Sequence, residues 1–432
     1  MRSFPFARGC MVVALLAVPR LARAQTPDLA AIQQQIDQLK QQLQTLQDQL
    51  SKLAVPPPAE APAAPTPPPP AAQSTPEQTA AVPPGAEGAG GPSGSLPVYG
   101  AGAASSKAFN PDIAVIGDFL GAAGHNTVNP SPAMQMHESE ASFQAVVDPY
   151  ARADFFISFG EEGVELEEGF VTFPALPGGL LVKAGKMRAA FGKVNALHNH
   201  VIPWADRPLV TANLVNGEDG IGDAGFSVAR LIPNPWFFLE GTGQVFRGDS
   251  GDLYKSSKPG DLSYVGHLRG YHDITENTNI DLGASYSRGH NASGVVDGSD
   301  LGRFITQLGG FDATLRWRPL QRSIYHSFVG RSEVVWSRRQ QPQGEQDSTG
   351  FYLSGDYQLA RRWFTGARYD RSDRADSSAL DSGQSLTLTY WPSEFSQVRG
   401  QYRRTRYAEA ETANEFLFQF QFSIGAHGAH PF

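Results

Sequence analysis

Near the C-terminus the chain reads Asn414-Glu415-Phe416-Leu417-Phe418-Gln419-Phe420-Gln421-Phe422-Ser423-Ile424. Strand side chains alternate between two faces. Phe416, Phe418, Phe420, Phe422 and Ile424 therefore share one face, and Gln419, Gln421 and Ser423 share the other. In water a row of four phenylalanines needs a covering layer, as in the core-facing strand of a soluble sandwich. In a bilayer the same row can point outward, with the polar face turned to an aqueous interior. Whether the rest of the chain repeats the pattern decides between the two.

It does. About sixteen candidate strands run from Asp112 to Ile424, many of the ~9–11 residues expected of a tilted membrane strand. Leu353, Tyr357 and Leu359 oppose Ser354, Asp356 and Gln358. Leu386, Leu388 and Tyr390 oppose Ser385, Thr387 and Thr389, and Val398 and Tyr402 oppose Arg399, Gln401 and Arg403. Trp236, Trp317, Trp336, Trp363 and Trp391 fall close to strand ends, where an interfacial girdle is expected. Short turns, such as Asp148-Pro149-Tyr150 and Pro392 to Glu394, mostly alternate with longer polar connections. Those include Ala122–Glu138, Ala189–Asp223, Arg338–Asp347 and Arg371–Gln384. These features predict an all-β chain, an antiparallel transmembrane β-barrel of about 16 strands over 108–432. The even count returns both chain ends to one side.

Composition agrees. Of 432 residues 41% are hydrophobic and the formal charge is −8. With no apolar run of about 20 residues, a helical membrane protein is excluded. The mild acidity argues against a nucleic-acid partner. Residues 1–24 carry a secretory signal pattern: Arg2 and Arg8, then the apolar Cys10–Val18, then Ala22-Arg23-Ala24. Cys10 is the one cysteine, so the mature chain is expected to hold no disulfide and no thiolate site.

Within 25–53, Leu29, Ile36, Leu43 and Leu50 occupy heptad position a, and Ile32, Leu39, Leu46 and Leu53 occupy d. The spacing predicts a left-handed coiled coil, and the mix of Leu and Ile leans toward a homotrimer. A lone amphipathic helix is the alternative. The Pro/Ala/Gly-rich stretch 54–107 cannot build a core and reads as a disordered, extended linker.

A ring of about sixteen strands is too wide for side chains to fill, which leaves an aqueous lumen. Early inward residues are acidic: Asp118, Asp148, Asp154, Glu165 and Glu167. Late ones are basic: Arg269, Arg316, Arg318, Arg331, Arg368, Arg399 and Arg403. One acidic and one basic wall, with a transverse field between them, are expected; ion pairs that merely hold barrel shape are the alternative. The longest connection, Ala189–Asp223, carries Phe191, Trp204, Asp206, Arg207, Glu218 and Asp219. It is expected to fold inward and narrow the lumen.

His198-Asn199-His200, with His427 and His430, is a weak metal signal; solvated loop histidines are the expectation, with no cofactor. No His-Glu-x-x-His, phosphate loop or Ser/His/Asp order supports an enzyme. An outer-membrane hydrolase would be revived by a surface-exposed Ser–His pair in the barrel wall. A tethering protein whose coiled coil binds a periplasmic partner is a further alternative.

Gly185-Lys186-Met187-Arg188-Ala189-Ala190-Phe191-Gly192 is similar to the strand-to-loop motif of outer-membrane porins of the phosphate-selective O/P type. The order of coiled coil, spacer and barrel resembles theirs too. Asn110-Pro111-Asp112-Ile113 and the ending Gly425–Phe432 resemble a branch sometimes described as zinc-regulated outer-membrane proteins. The resemblance implies a trimeric diffusion channel, embedded in outer-membrane lipid, for small solutes. It does not extend to phosphate selectivity, because the inward arginines form no dense ladder and acidic residues are interspersed. A TonB-dependent receptor is not the expectation, because the chain has length for neither a plug nor 22 strands.

Overall fold

The computed structural model describes residues 112–160, 163–296, 299–300 and 304–425. The expectations for 1–24, 25–53 and 54–107, and for His427 and His430, lie outside the described residues.

Sixteen strands close into one ring. They are β1 (Asp112–His125), β2 (Met134–Asp148), β3 (Ala151–Gly160), β4 (Gly163–Leu176), β5 (Leu180–Arg188), β6 (Gly222–Leu231), β7 (Phe238–Phe246) and β8 (Ser263–Thr275). Then follow β9 (Thr278–His290), β10 (Ile305–Trp317), β11 (Phe328–Gln341), β12 (Gly344–Ala360), β13 (Trp363–Arg374), β14 (Ser377–Ser393), β15 (Ser396–Arg406) and β16 (Thr412–Gly425). Each strand pairs antiparallel with its sequence neighbour, and β16 closes the ring on β1 from Ala114↔Gly425 to His125↔Asn414. Closure removes every sheet edge. A small hairpin, 295–296 with 299–300, lies in the β9–β10 connection.

The ring turns the usual burial order inside out. On β16, Phe416 is 52% exposed while Gln419, three residues on, is 1% exposed. Leu353, Leu386 and Leu388 are exposed on the outer wall, while Ser354, Ser385 and Thr387 are buried inside. A soluble sandwich would bury the first set. At the closing seam Gly117 lies opposite Phe422; a side chain there would meet the Phe422 ring and Met136. Glycine thus lets the ring lie flat across the last strand pair. Among the described residues no helix is long and apolar enough to cross a membrane.

Three expectations need correction. Arg338–Asp347 and Arg371–Gln384 are not long loops. β11 and β12 run on to a turn at 342–343, and β13 and β14 to a turn at 375–376. Their polar tips keep ladder pairing, with Arg338 Nε 2.8 Å from Asp347 Oδ1. Trp391 is buried, unlike Trp236, Trp317, Trp336 and Trp363, which are exposed. Trp363 stacks on Tyr390 with ring centroids 4.5 Å apart. Asp148 is the exposed last residue of β2, at the strand end and not within the lumen wall, and its Oδ1 accepts the Tyr150 amide at 2.7 Å.

Candidate functional site

The β5–β6 connection is folded against the inner wall. It holds a short turn of 3-10 helix (Asn199–Val201) and one helix, α1 (Leu209–Leu214). Phe191, Val194, Ile202, Trp204, Val210, Leu214 and Ile221 are all nearly inaccessible, packed in one cluster with Phe246, Leu308, Val335 and Tyr352 of the wall and with Tyr254 of the β7–β8 connection. Trp204 meets Tyr352 edge-on at 5.3 Å. Each large apolar side chain removed from water contributes about 1.5–3 kcal/mol. The connection is thus seated by an apolar core inside a polar lumen, a feature that strand alternation alone does not show.

Arginines fix its middle. Arg399 Nη1 donates to the carbonyls of Ile202 at 3.1 Å and Trp204 at 2.8 Å. Arg368 lies over the Trp204 ring at 4.8 Å and, with Arg403, holds Asp206 at 3.0 Å each. Gln401 Nε2 also donates to Asp206. Burial by itself raises the Asp206 pKa, but the two guanidinium charges outweigh it and hold the carboxyl down at about 2. Arg207 is buried and turns back on the connection, donating to the carbonyls of Val194 and Leu197. Glu218 and Asp219 stay exposed at the far end; Arg188 donates to both backbone carbonyls.

The segregated acidic and basic walls do not form. Arg269 pairs with Asp281 at 2.7 Å, Arg331 with Asp356 at 2.5 Å, Arg368 with Asp370 at 2.7 Å and Arg403 with Glu415 at 2.7 Å. Arg316 lies 3.8 Å from Asp281. The cause is register: Arg403 and Glu415 sit directly opposite, and cross-strand neighbours of opposite charge pair. On the early side Arg152 neutralises Asp154 at 2.7 Å. Arg318 instead donates to the Ser323 carbonyl in the β10–β11 turn. Glu165 is exposed, lies on the strand face opposite Val164 and Leu166, and pairs with Lys186 at 3.0 Å.

The histidines depart furthest from expectation. His198 is buried, not solvated. Its Nδ1 lies 2.5 Å from Glu140 Oε2 and 3.4 Å from Glu167 Oε2, and its Nε2 lies 2.8 Å from Glu168 Oε2. His200 Nδ1 faces Glu138 Oε1 at 3.9 Å and Glu140 Oε2 at 3.8 Å. Two β-bulges bring these carboxylates together. β2 carries an extra residue at His137, where Glu138 opposes Asp118 but Met136 opposes Phe119. β4 carries one at Glu167, where Glu168 opposes Phe156 but Leu166 opposes Ile157. A bulge lets adjacent residues point the same way, so Glu167 and Glu168 both reach His198. His137 bridges Asp118 and Glu218 at 3.3 Å each. Burial opposes a charge on His198 and His200, yet the facing carboxylates, Glu140 first, raise both ring pKa values. Glu138, Glu140, His198 and His200 offer ligand atoms all within 4.8 Å of one another. The sequence signal was the Glu138-Ser139-Glu140 alternation and the run Glu165-Leu166-Glu167-Glu168; period two hides it, because the bulges break the period.

A Ser–His pair is present, with His267 Nδ1 2.8 Å from Ser285 Oγ. It is not surface-exposed. Ser285 is buried and its Oγ accepts the Gly192 amide at 2.9 Å, so the pair pins the connection and presents no nucleophile to solvent.

A scan against models of known protein families matches none. An uncharacterized protein of Aquifex aeolicus (strain VF5) is 30% identical, over an alignment covering 76% of this chain and 81% of that one. This chain belongs to the same family. Among solved structures it is similar to the anion-selective porin from Comamonas acidovorans, with TM-score 0.50, 8% identity, and 73% and 98% of the two chains covered. Salmonella typhi OmpF gives TM-score 0.50 at 10% identity over 73% and 98%. A loop-deletion variant of OmpT, an outer membrane protein of Vibrio cholerae, gives the same score and identity over 73% and 99%. At such identities the likeness shows the fold alone, a closed sixteen-stranded β-barrel.

Proposed function

We propose that this chain is an outer-membrane porin, a passive diffusion channel for small polar or charged solutes, with residues 189–223 narrowing its lumen. One observation carries the reading: the ring turns apolar side chains out and polar ones in, and a connection from one end is seated inside it. The outer face matches hydrocarbon, and the inner face matches water. The lumen beside the seated connection is then lined by Asp118, Asp154, Glu165, Glu167, Arg269, Arg316, Arg331, Arg368, Arg399 and Arg403, with charges of both signs intermixed around the wall. Because most of these arginines already hold carboxylates or the connection itself, the channel carries no dense anion ladder.

The rest of the chain fits the same reading. Residues 1–24 direct export, 25–53 form a periplasmic trimeric coiled coil, and 54–107 tether it to the barrel, making the assembly a homotrimer of the kind the O/P-type resemblance implies. Purified protein in planar bilayers tests the channel. Discrete conductance steps are expected, larger steps after deletion of 196–214, and a non-zero reversal potential across a salt gradient. Unchanged conductance after the deletion would remove the constriction from the proposal. Absence of any steps would remove the channel.

A further inference from the structure

We propose that Glu138, Glu140, His198 and His200 form a binding site for a divalent transition-metal ion of the zinc class, which staples the inward connection to the wall of β2.

The chemistry of the donors comes first. Two imidazoles and two carboxylates are a ligand set for a borderline ion such as Zn²⁺. In a tetrahedral site with bonds of ~2.0–2.1 Å, ligand atoms stand about 3.3 Å apart. Here the facing atoms stand at 2.5, 3.8 and 3.9 Å, so shifts of about 1 Å or less complete the shell.

Two orphaned atoms point into this space. Glu138 Oε1 and His200 Nδ1 are both buried and both lack a hydrogen-bond partner. Glu138 is 7% exposed and the His200 side chain 10%. A buried carboxylate oxygen or imidazole nitrogen without a partner costs about 1–3 kcal/mol, and the two face each other across the site. A bound cation would satisfy both.

The surroundings are already those of a metal centre. With His198 ligating through Nδ1, its Nε2–H meets Glu168 at 2.8 Å, the carboxylate–histidine–metal arrangement that fixes ring orientation and strengthens the ligand. Glu138 keeps its other oxygen, Oε2, on Asn199 Nδ2 at 3.0 Å. Asn199 is oriented in turn by Arg207 Nε at 2.9 Å. A set of buried His–Glu ion pairs with no metal is the competing account. It explains the His198 contacts but leaves Glu138 Oε1 and His200 Nδ1 3.9 Å apart, a distant ion pair in which neither buried atom has a hydrogen bond.

The test uses the full chain, folded in detergent and stripped with EDTA. Zn²⁺, Co²⁺ or Ni²⁺ alone is added, and bound metal is measured by equilibrium dialysis and mass spectrometry. One equivalent of Zn²⁺ per chain is expected, undisturbed by millimolar Mg²⁺. Co²⁺ should give the intense visible bands of low coordination symmetry. Glu138→Gln and His200→Ala should each weaken binding at least about tenfold. The double variant His427→Ala/His430→Ala should keep it. Heat-modifiable migration on gels checks folding, and the near-isosteric Glu138→Gln carries the test where His200→Ala misfolds. No bound ion in the wild type, or an equivalent that survives both site variants, overturns the proposal. Binding is read without any transport assay, so this result stands apart from whether the barrel conducts.

Discussion

Asp206, in the middle of the inward connection, meets Arg368 on β13 with Oδ2 and Nη2 3.0 Å apart. That contact ties a chain segment to a wall residue 162 positions away in sequence. Replacing Asp206 with Asn removes the charge that Arg368 and Arg403 share, although Asp370 and Glu415 still balance them. Asp206→Asn is therefore expected to loosen the connection without unfolding the barrel. Chymotrypsin should then cut after Trp204, which the wild type protects, and single-channel recordings should become noisier. Unchanged protection would place the anchoring elsewhere.

The same residue sets a pH response. Its folded pKa of about 2 lies below the ordinary aspartate value of about 3.9. The stabilisation is thus fully present above about pH 4 and is lost as pH falls through about 2. It amounts to something on the order of 2 kcal/mol. Thermal melts of wild type and Asp206→Asn in detergent should differ by a constant amount from pH 7 to about 4.5, and converge toward pH 2. A gap that persisted at pH 2 would assign the difference to hydrogen bonding alone.

Trp204→Ala should cost about 3–5 kcal/mol of loop seating, the range for a large aromatic removed from a packed core. The loss falls on the connection, because Trp204 packs on Tyr352 and under Arg368. Hydrogen exchange should accelerate at amides 194–215 and hold steady in β16.

Gly192 sits in the left-handed region with φ +59. A side chain there would strike Glu333, whose Oε2 accepts the Lys193 and Val194 amides at 3.4 and 3.3 Å. Gly192→Ala therefore adds backbone strain of about 1–2 kcal/mol and displaces the acceptor that starts the inward fold. A rise in mean conductance is expected, smaller than that of deleting 196–214.

The outward face yields a test of the bilayer reading. Leu388 is 47% exposed on the outer wall. Leu388→Arg should lower folding stability in lipid vesicles by about 2–4 kcal/mol if the residue lies near the midplane. A cost below about 0.5 kcal/mol would mean that no hydrocarbon covers this strand.

The sequence by itself determined the ring, its outside and its inside. Period-two alternation is a local property: Phe416 to Ile424 declare their face through backbone geometry alone, and Leu386, Leu388 and Ser385 do the same. Strand number and antiparallel order follow from turns within a few residues of each strand. What fills the ring was decided only by tertiary structure. Glu138, Glu140 and Glu168 reach His198 and His200 because two bulges break the alternation and because a connection from β5 folds back across the lumen. Arg368, Arg399 and Arg403, which look like open lumenal charges along the chain, are committed to Asp206 and to backbone carbonyls nearly two hundred residues away. Alternation tells which face a side chain takes, but not which distant segment comes to meet it.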